Sequence, residues 1–310
     1  MRVLVVGAGA IGGYFGGRLL ERGRDVTFLV RSRRAAQLAR AGLQLRSRYG
    51  DVDASNPATA SAGSIAGSYD LILLSCKAYD LDGAIEAMAP AVGPTSTVLP
   101  LLNGMRHLDA LDARFGPDRV LGGLCVISSV LDGEGRILHL NDLHSLVFGE
   151  RDGRPSERAA GVAALFDGTR ADVTASRTIL GDMWEKWVFI ASMAGINCLL
   201  RGSVGDIHAV GAIALAIRLL EECRAIAAAE GHEPGEVALN RSRAMLTASG
   251  STLAASMFRD IERGAPTEGA HIVGDLLRRG AARSVPTPLL EVADAHLRVY
   301  EHRRAHPAAP

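Results

Sequence analysis

Residues Gly7-Ala8-Gly9-Ala10-Ile11-Gly12 form a G-x-G-x-x-G hexamer, and its surroundings limit the chain to few folds. The apolar run Val3-Leu4-Val5-Val6 precedes it, and apolar residues at helical spacing follow over 11–21. A strand, a tight glycine turn and a helix in that order open a βαβ unit. In such a unit the first glycine makes the turn, the second lets backbone approach a pyrophosphate, and the third lets helix and strand pack closely. The start of the helix then offers N–H groups and a positive dipole end to phosphate. A turn without a ligand is the bland alternative, and the strands that follow weigh against it.

Those strands are apolar runs at 25–30, 70–75 and 97–102, with a helical stretch at 81–91 between the last two. Alternation of this kind predicts a parallel sheet covered by helices. Residues 120–130, 136–140 and 145–149 read as further strands, partly antiparallel, because the links at Gly133-Glu134-Gly135 and at Asp142 are too short for a helical crossover. After about residue 175 strands vanish, and 179–200, 209–231, 235–247 and 269–279 have helical periodicity. The expected fold is therefore α/β: an N-terminal Rossmann doubly wound sheet over 1–175, an all-α domain over 176–302, and a disordered tail at 303–310.

A chain of 310 residues exceeds what one core usually organises, which favours two domains. Acidic and basic residues balance at 34 each, so no global field recruits nucleic acid or an anionic membrane. The first residues lack the basic start and long apolar stretch of an export signal, and no run reaches the roughly 18 apolar residues of a bilayer span. Cys76, Cys125, Cys198 and Cys223 are widely spaced, and the nine histidines are scattered. No spacing predicts a metal site, and a reducing cytoplasm is expected.

Nicotinamide sites specific for NAD place Asp or Glu about 20 residues beyond the glycine loop, to grip the ribose hydroxyls. Here that stretch is Phe28-Leu29-Val30-Arg31-Ser32-Arg33-Arg34, with no acid. Guanidiniums make charge-assisted, bidentate contacts with phosphate, which points to NADPH, with Arg31 nearest the strand end as the leading candidate. The alternative is that these arginines only solvate the start of a helix.

Only two of the 34 basic residues are lysine, Lys77 and Lys186. An amine can be tuned to release a proton and a guanidinium cannot, so a lysine in an arginine-rich chain is a candidate for chemistry, against the alternative of a snorkelling surface side chain. Lys77 follows the strand-like run 70–75, and Asn103 follows 97–102. Both stand at the carboxyl edge where open parallel sheets bind ligands. Lys186 lies in Trp184-Glu185-Lys186-Trp187, early in the first long helix of the second domain. Glu268, in Pro266-Thr267-Glu268-Gly269, is a candidate charge partner.

At these positions the chain resembles the ketopantoate reductase (2-dehydropantoate 2-reductase) family, nearly end to end. The matching pieces are Gly7 to Gly12, Arg31, Ser75-Cys76-Lys77-Ala78, Leu102-Asn103-Gly104-Met105, Trp184-Glu185-Lys186, Ser256-Met257 with Asp260, and Thr267-Glu268. The resemblance implies a helical second domain of the 6-phosphogluconate dehydrogenase type. It also implies NADPH-dependent reduction of 2-dehydropantoate to pantoate, a step of pantothenate biosynthesis. By position, Lys186 would donate the proton, Glu268 would orient it, Ser256 would hold substrate, and Lys77 and Asn103 would line the cofactor and substrate cleft. Hydride arriving at a ketone carbon leaves negative charge on oxygen, which an ammonium stabilises and protonates. An apolar wall such as Trp184 and Trp187 would lower the pKa of that lysine.

The family's asparagines at four and eight positions beyond the lysine, and once more later, are Ile190, Ala194 and Val204 here. Asn197, on nearly the same helical face, is a candidate replacement. A less polar pocket allows a different 2-keto acid or ketone, and a non-catalytic NADPH sensor is the reading from another class. Expected partners are thus a small keto acid and a second copy in a homodimer, not nucleic acid or membrane.

Overall fold

The computed structural model describes residues 1–307. Its first half runs β1 (Val3–Val6), α1 (Ala10–Glu21), β2 (Val26–Leu29), α2 (Ser32–Ala41), β3 (Leu43–Arg46), β4 (Val52–Ala54), β5 (Ala58–Ala60), β6 (Leu71–Leu74), α3 (Leu81–Met88), β7 (Thr97–Pro100), α4 (Arg106–Phe115), β8 (Gly122–Leu131), β9 (Ile137–Gly149), α5 (Glu157–Phe166) and β10 (Asp172–Ala175). The second half is helical: α6 (Ile179–Leu200), α7 (Val204–Ala209), α8 (Ile213–Ala229), α9 (Glu236–Leu246), α10 (Ser256–Glu262), a π-helical turn Ala270–Gly274, α11 (Asp275–Ala282) and α12 (Pro288–Ala305). Contacts gather the chain into two compact units, Met1–Leu102 with His107–Ile179, and Asn103–Arg106 with residues from Leu180 onward. No helix among the described residues is long and apolar enough to cross a membrane.

In the first unit β5-β2-β1-β6-β7 form an all-parallel sheet. β1, β6 and β7 are buried on both faces, which is why they read as continuous apolar runs. The order reverses at β1, so a topological switch point lies between β1 and β6, where such sheets bind ligands beyond their carboxyl ends. A second sheet, β10-β9-β3-β4 with β8 antiparallel to β9, packs against the other side of α1. β9 continues through Asp142, and the expected turn there does not exist. The ladder absorbs the irregularity instead as a bulge between Ile127 and Ser129.

Helix α1 is therefore held between two sheets, and its glycines mark the contacts. A β-carbon on Gly12 would overlap the Gly7 carbonyl oxygen and the Ser75 hydroxyl. One on Gly13 would meet Ile137, one on Gly16 the Phe28 ring, and one on Gly17 Leu43. Gly7 itself stands at φ +95°, a conformation that suits glycine.

The second unit packs helices around α6, whose Trp187 and Asn197 are completely buried. Gly195 brings α6 close to Leu219 of α8. The helix expected over 209–231 is α8, which begins only at Ile213 because Gly211, φ +75°, separates it from α7. The expectation of disorder from 303 fails at its start, because α12 continues to Ala305, closed by the Glu301–Arg304 pair (2.9 Å) and the stacked rings of His302 and His306. Residues 308–310 of that tail lie outside the described residues.

Because the clash at Gly12 involves backbone as well as a side chain, Gly12→Ala should destabilise the protein by about 1–3 kcal/mol. Chemical denaturation with an unchanged m-value would measure it, and a wild-type midpoint would show that the close approach is not needed.

Candidate functional site

The glycine loop begins where β1 ends. The Gly7 N–H donates to the Leu29 carbonyl of β2 (3.0 Å), and the Ser75 hydroxyl lies against the Val6 and Gly7 carbonyls (2.9 and 3.1 Å). Arg34, on α2, braces the loop from outside, its Nε donating to the Ala8 carbonyl and Nη1 to the Gly135 carbonyl, both at 2.8 Å. Burial lowers the Arg34 pKa from its ordinary value, with Asp132 opposing. Sequence reasoning grouped Arg34 with the phosphate candidates, but two of its three nitrogens hold backbone.

Three observations fit a dinucleotide phosphate at this loop. No protein atom lies within 4 Å of where a Gly9 β-carbon would stand, so packing does not explain its lack of a side chain. Helix α1 starts at Gly9 with no side-chain cap and no acid in its first turn, leaving N–H groups and the dipole end for an anion. The Nη2 of Arg34 is buried with no hydrogen-bond partner in the protein. Gly7, Ala8, Gly9, Ala10, Ile11 and Gly12 are thus placed as a phosphate cradle requires.

Arg31 is the N-cap of α2, just past β2, and is largely exposed. Its Nη2 lies 2.5 Å from Asp80 Oδ1, and that hydrogen bond, followed by the charge itself, raises the arginine's pKa. Asp80 closes the short 3₁₀ turn Ala78–Asp80, whose N-cap is Lys77. Lys77 is exposed, three residues beyond β6. The two basic candidates of this unit consequently border one turn, a link that spacing alone did not reveal.

In the second unit Lys186 is half-buried on α6, and Glu268 is only 8% exposed. Trp187 connects their elements: its indole N–H donates to the Ile272 carbonyl in the π turn directly after Glu268 (2.9 Å). Trp184 packs on Trp187 with ring centroids 4.8 Å apart and stacks on His232. The segment before Glu268 is clamped to α12. Thr267 donates through both its N–H and hydroxyl to Glu301 Oε1 (2.6 and 2.7 Å), and the Tyr300 hydroxyl donates to the Ala265 carbonyl (2.7 Å). Burial pushes the Glu301 carboxyl upward most, but these donors together with Arg304 bring it below its ordinary value. Neither Tyr300 nor Glu301 was foreseen, because their partners lie over 30 positions away.

Asn103 belongs by its contacts to this same unit, and Gly104, at φ +79°, packs against His271 of the π turn. Ser256 opens α10 and is exposed. Asn197 does not replace the missing asparagines. Its carboxamide is committed to structure, donating to the Gly202 carbonyl (2.8 Å) and accepting from the Ala255 N–H (3.0 Å), one residue before Ser256. Ala194 and Val204 are buried in the core and Ile190 is half-buried.

Comparison with known proteins finds two family models on this chain, ketopantoate reductase PanE/ApbA over residues 3–153 and its C-terminal counterpart over residues 178–301. The chain is 42% identical over 303 residues to the uncharacterized oxidoreductase YkpB of Bacillus subtilis, covering 97% of this chain and 99% of that protein. The crystal structure of 2-dehydropantoate 2-reductase from Methylococcus capsulatus superposes with a TM-score of 0.88 at 28% identity, covering 99% of both chains. D-mandelate dehydrogenase, solved with NADH and anilino(oxo)acetate, shares the fold with a TM-score of 0.85 at 21% identity, covering 98% of this chain and 100% of its own.

If Arg31 exchanges Asp80 for a 2′-phosphate, Arg31→Ala should weaken NADPH binding roughly tenfold or more, the worth of a charge-assisted hydrogen bond, and leave NADH nearly unchanged. Titration of both cofactors by fluorescence would decide it; equal losses would remove Arg31 from phosphate recognition.

Proposed function

The chain belongs to the ketopantoate reductase family, oxidoreductases acting on CH–OH groups, and from that premise we propose that it reduces 2-dehydropantoate to pantoate with NADPH, Lys186 supplying the proton. The observation that carries this reading is the Trp187–Ile272 hydrogen bond, which sets the helix bearing Lys186 against the turn that follows Glu268. The nicotinamide, when bound, supplies the hydride. The residues of the chain do the rest. The glycine loop from Gly7 to Gly12 holds the pyrophosphate against the start of α1. Arg31 pairs with the 2′-phosphate. Lys77 and Asn103 border the cofactor and the keto acid, and Ser256 binds the keto acid.

Charge appears on the carbonyl oxygen as the carbon is reduced, and the Lys186 ammonium meets it and delivers its proton there. Glu268, buried at a fixed backbone position by the Thr267–Glu301 clamp, orients the ammonium. Nothing in this scheme needs a metal ion. We propose a homodimer as the working assembly, as in the dimeric ketopantoate reductase from Staphylococcus aureus that shares the fold.

A second reading keeps every one of these roles and changes the substrate. The side chains of Ile190, Ala194 and Val204 offer no hydrogen bonds at positions where the family resemblance implies asparagine, so a 2-keto acid with a less polar side chain would lose less on leaving water than the hydroxylated ketopantoate. In D-mandelate dehydrogenase the same fold is found with the aromatic anilino(oxo)acetate.

Following nicotinamide absorbance with ketopantoate and then a panel of aliphatic and aromatic 2-keto acids should show turnover, with ketopantoate fastest on the first reading and an apolar acid fastest on the second. Lys186→Ala should reduce kcat by roughly 10²–10⁴, the usual worth of a positioned general acid, while NADPH affinity stays near that of the wild type. A variant with undiminished kcat would dismiss Lys186 as the acid. NADPH binding with no keto acid turned over would favour a sensor.

A further inference from the structure

The π turn after Glu268 carries a buried imidazole that the scheme above does not use. His271 is 5% exposed and faces the Asn103–Arg106 segment, both in the second unit. A β-carbon on Gly104 would stand 3.1 Å from its Cδ2 and 3.5 Å from its Nε2, so backbone and ring are in close contact. A hydrogen bond to the Asn103 backbone raises the basicity of the ring. Only an acceptor does that, so the imidazole N–H donates to the Asn103 carbonyl. The charged groups that face the ring are Glu268, one turn before it, Asp275, on α11 and held by Arg278 and Arg279, and Arg106. Burial is the largest influence and holds His271 below its ordinary value, against the upward pull of Glu268 and Asp275. The ring is therefore neutral at physiological pH and has a single N–H to give.

The π register has a physical consequence here. A wide turn loosens the regular i→i−4 ladder, so carbonyls become available to side chains, and the Ile272 carbonyl takes the Trp187 indole. The neighbouring residue, His271, reaches the other way, to Asn103. One short turn is tied to the helix of Lys186 on one side and to Asn103 on the other, while Glu268 stands at its start.

We propose that His271 is a positioning residue that sets the Asn103 carboxamide in register with Glu268, acting through the Asn103 backbone rather than by touching substrate. The inference rests on the roles assigned to Asn103 and Glu268 above. Protonating His271 adds a positive charge beside Glu268 that competes for its carboxylate. Activity should thus have an acid limb, lost as pH falls below the ordinary imidazole value of 6.5.

His271→Phe retains the ring and removes the donor. It should raise KM for the keto acid about tenfold with a smaller change in kcat, the cost of one net hydrogen bond, and should abolish the acid limb. His271→Asn and His271→Gln each place an amide donor where one ring nitrogen stood, and at least one should recover KM while still lacking the limb. Independently of turnover, amide hydrogen exchange at Gly104 and Met105 should quicken about tenfold in His271→Phe and slow again in the rescuing amide variant. Unchanged KM, pH profile and exchange in His271→Phe would overturn the proposal, as would a loss that neither amide restores and that tracks a fall in Tm. Lys186→Ala, assayed alongside, separates the two ideas: an active Lys186→Ala removes the proposed function, whereas an inactive Lys186→Ala beside a normal His271→Phe removes only the positioning role.

Discussion

A helix can begin where β1 stops only because Gly12 has no side chain. The Gly7 carbonyl and the Ser75 hydroxyl occupy the volume that any β-carbon there would take. That close approach places the uncapped start of α1 directly above the carboxyl edge of the parallel sheet. It also brings the segment after β6, with Lys77 and Asp80, to the neighbouring edge position. The uncapped end of the helix, the switch point set by the strand order and the Arg31–Asp80 pair thus gather along one edge of the sheet.

The second unit solves the same problem, holding polar groups in fixed places, by different means. Its candidate groups are secured through the backbone on either side of them. Thr267 is tied to Glu301, Ala265 to Tyr300, Ile272 to Trp187, and Ala255 to Asn197. Each bond leaves the side chain of the neighbouring candidate uncommitted by that contact. Part of the rigidity of this buried polar region is thus supplied by bonds to the main chain beside the candidate groups.

The elements legible in the sequence were those with many residues and one strong period. β1 and β6 are apolar throughout and β7 is apolar but for Thr97, α1 and α6 have apolar faces of three or more turns, and the helical character of the second half followed from repeated periodicity. β3, β4 and β5 have only three or four residues each, too few to establish alternation. Helix α2 was read as a run of arginines because Leu38 is the one residue it buries. Asp142 suggested a turn, yet β9 runs through it, since a polar residue on the open face of an antiparallel strand costs little. Among site residues, Lys186 and Lys77 stood out by rarity and Gly7 to Gly12 by pattern. Arg34, Glu301, His271 and Asn197 act on backbone atoms distant in sequence, and no local spacing encodes such a contact.

Helix α1 contains Gly12, Gly13, Gly16 and Gly17, and each glycine costs about 1 kcal/mol of helical propensity relative to alanine. Such a segment has little tendency to coil by itself in water. It becomes helical because one sheet closes on it through Phe28 and Val5 and the other through Ile137 and Leu43. The helical form of this segment consequently depends on strands more than 100 positions apart in the chain, β1 and β9, packing on its two sides. A lesion in the β8–β9 pair, remote in sequence, would thereby loosen the packing of α1 as well as the sheet in which it lies.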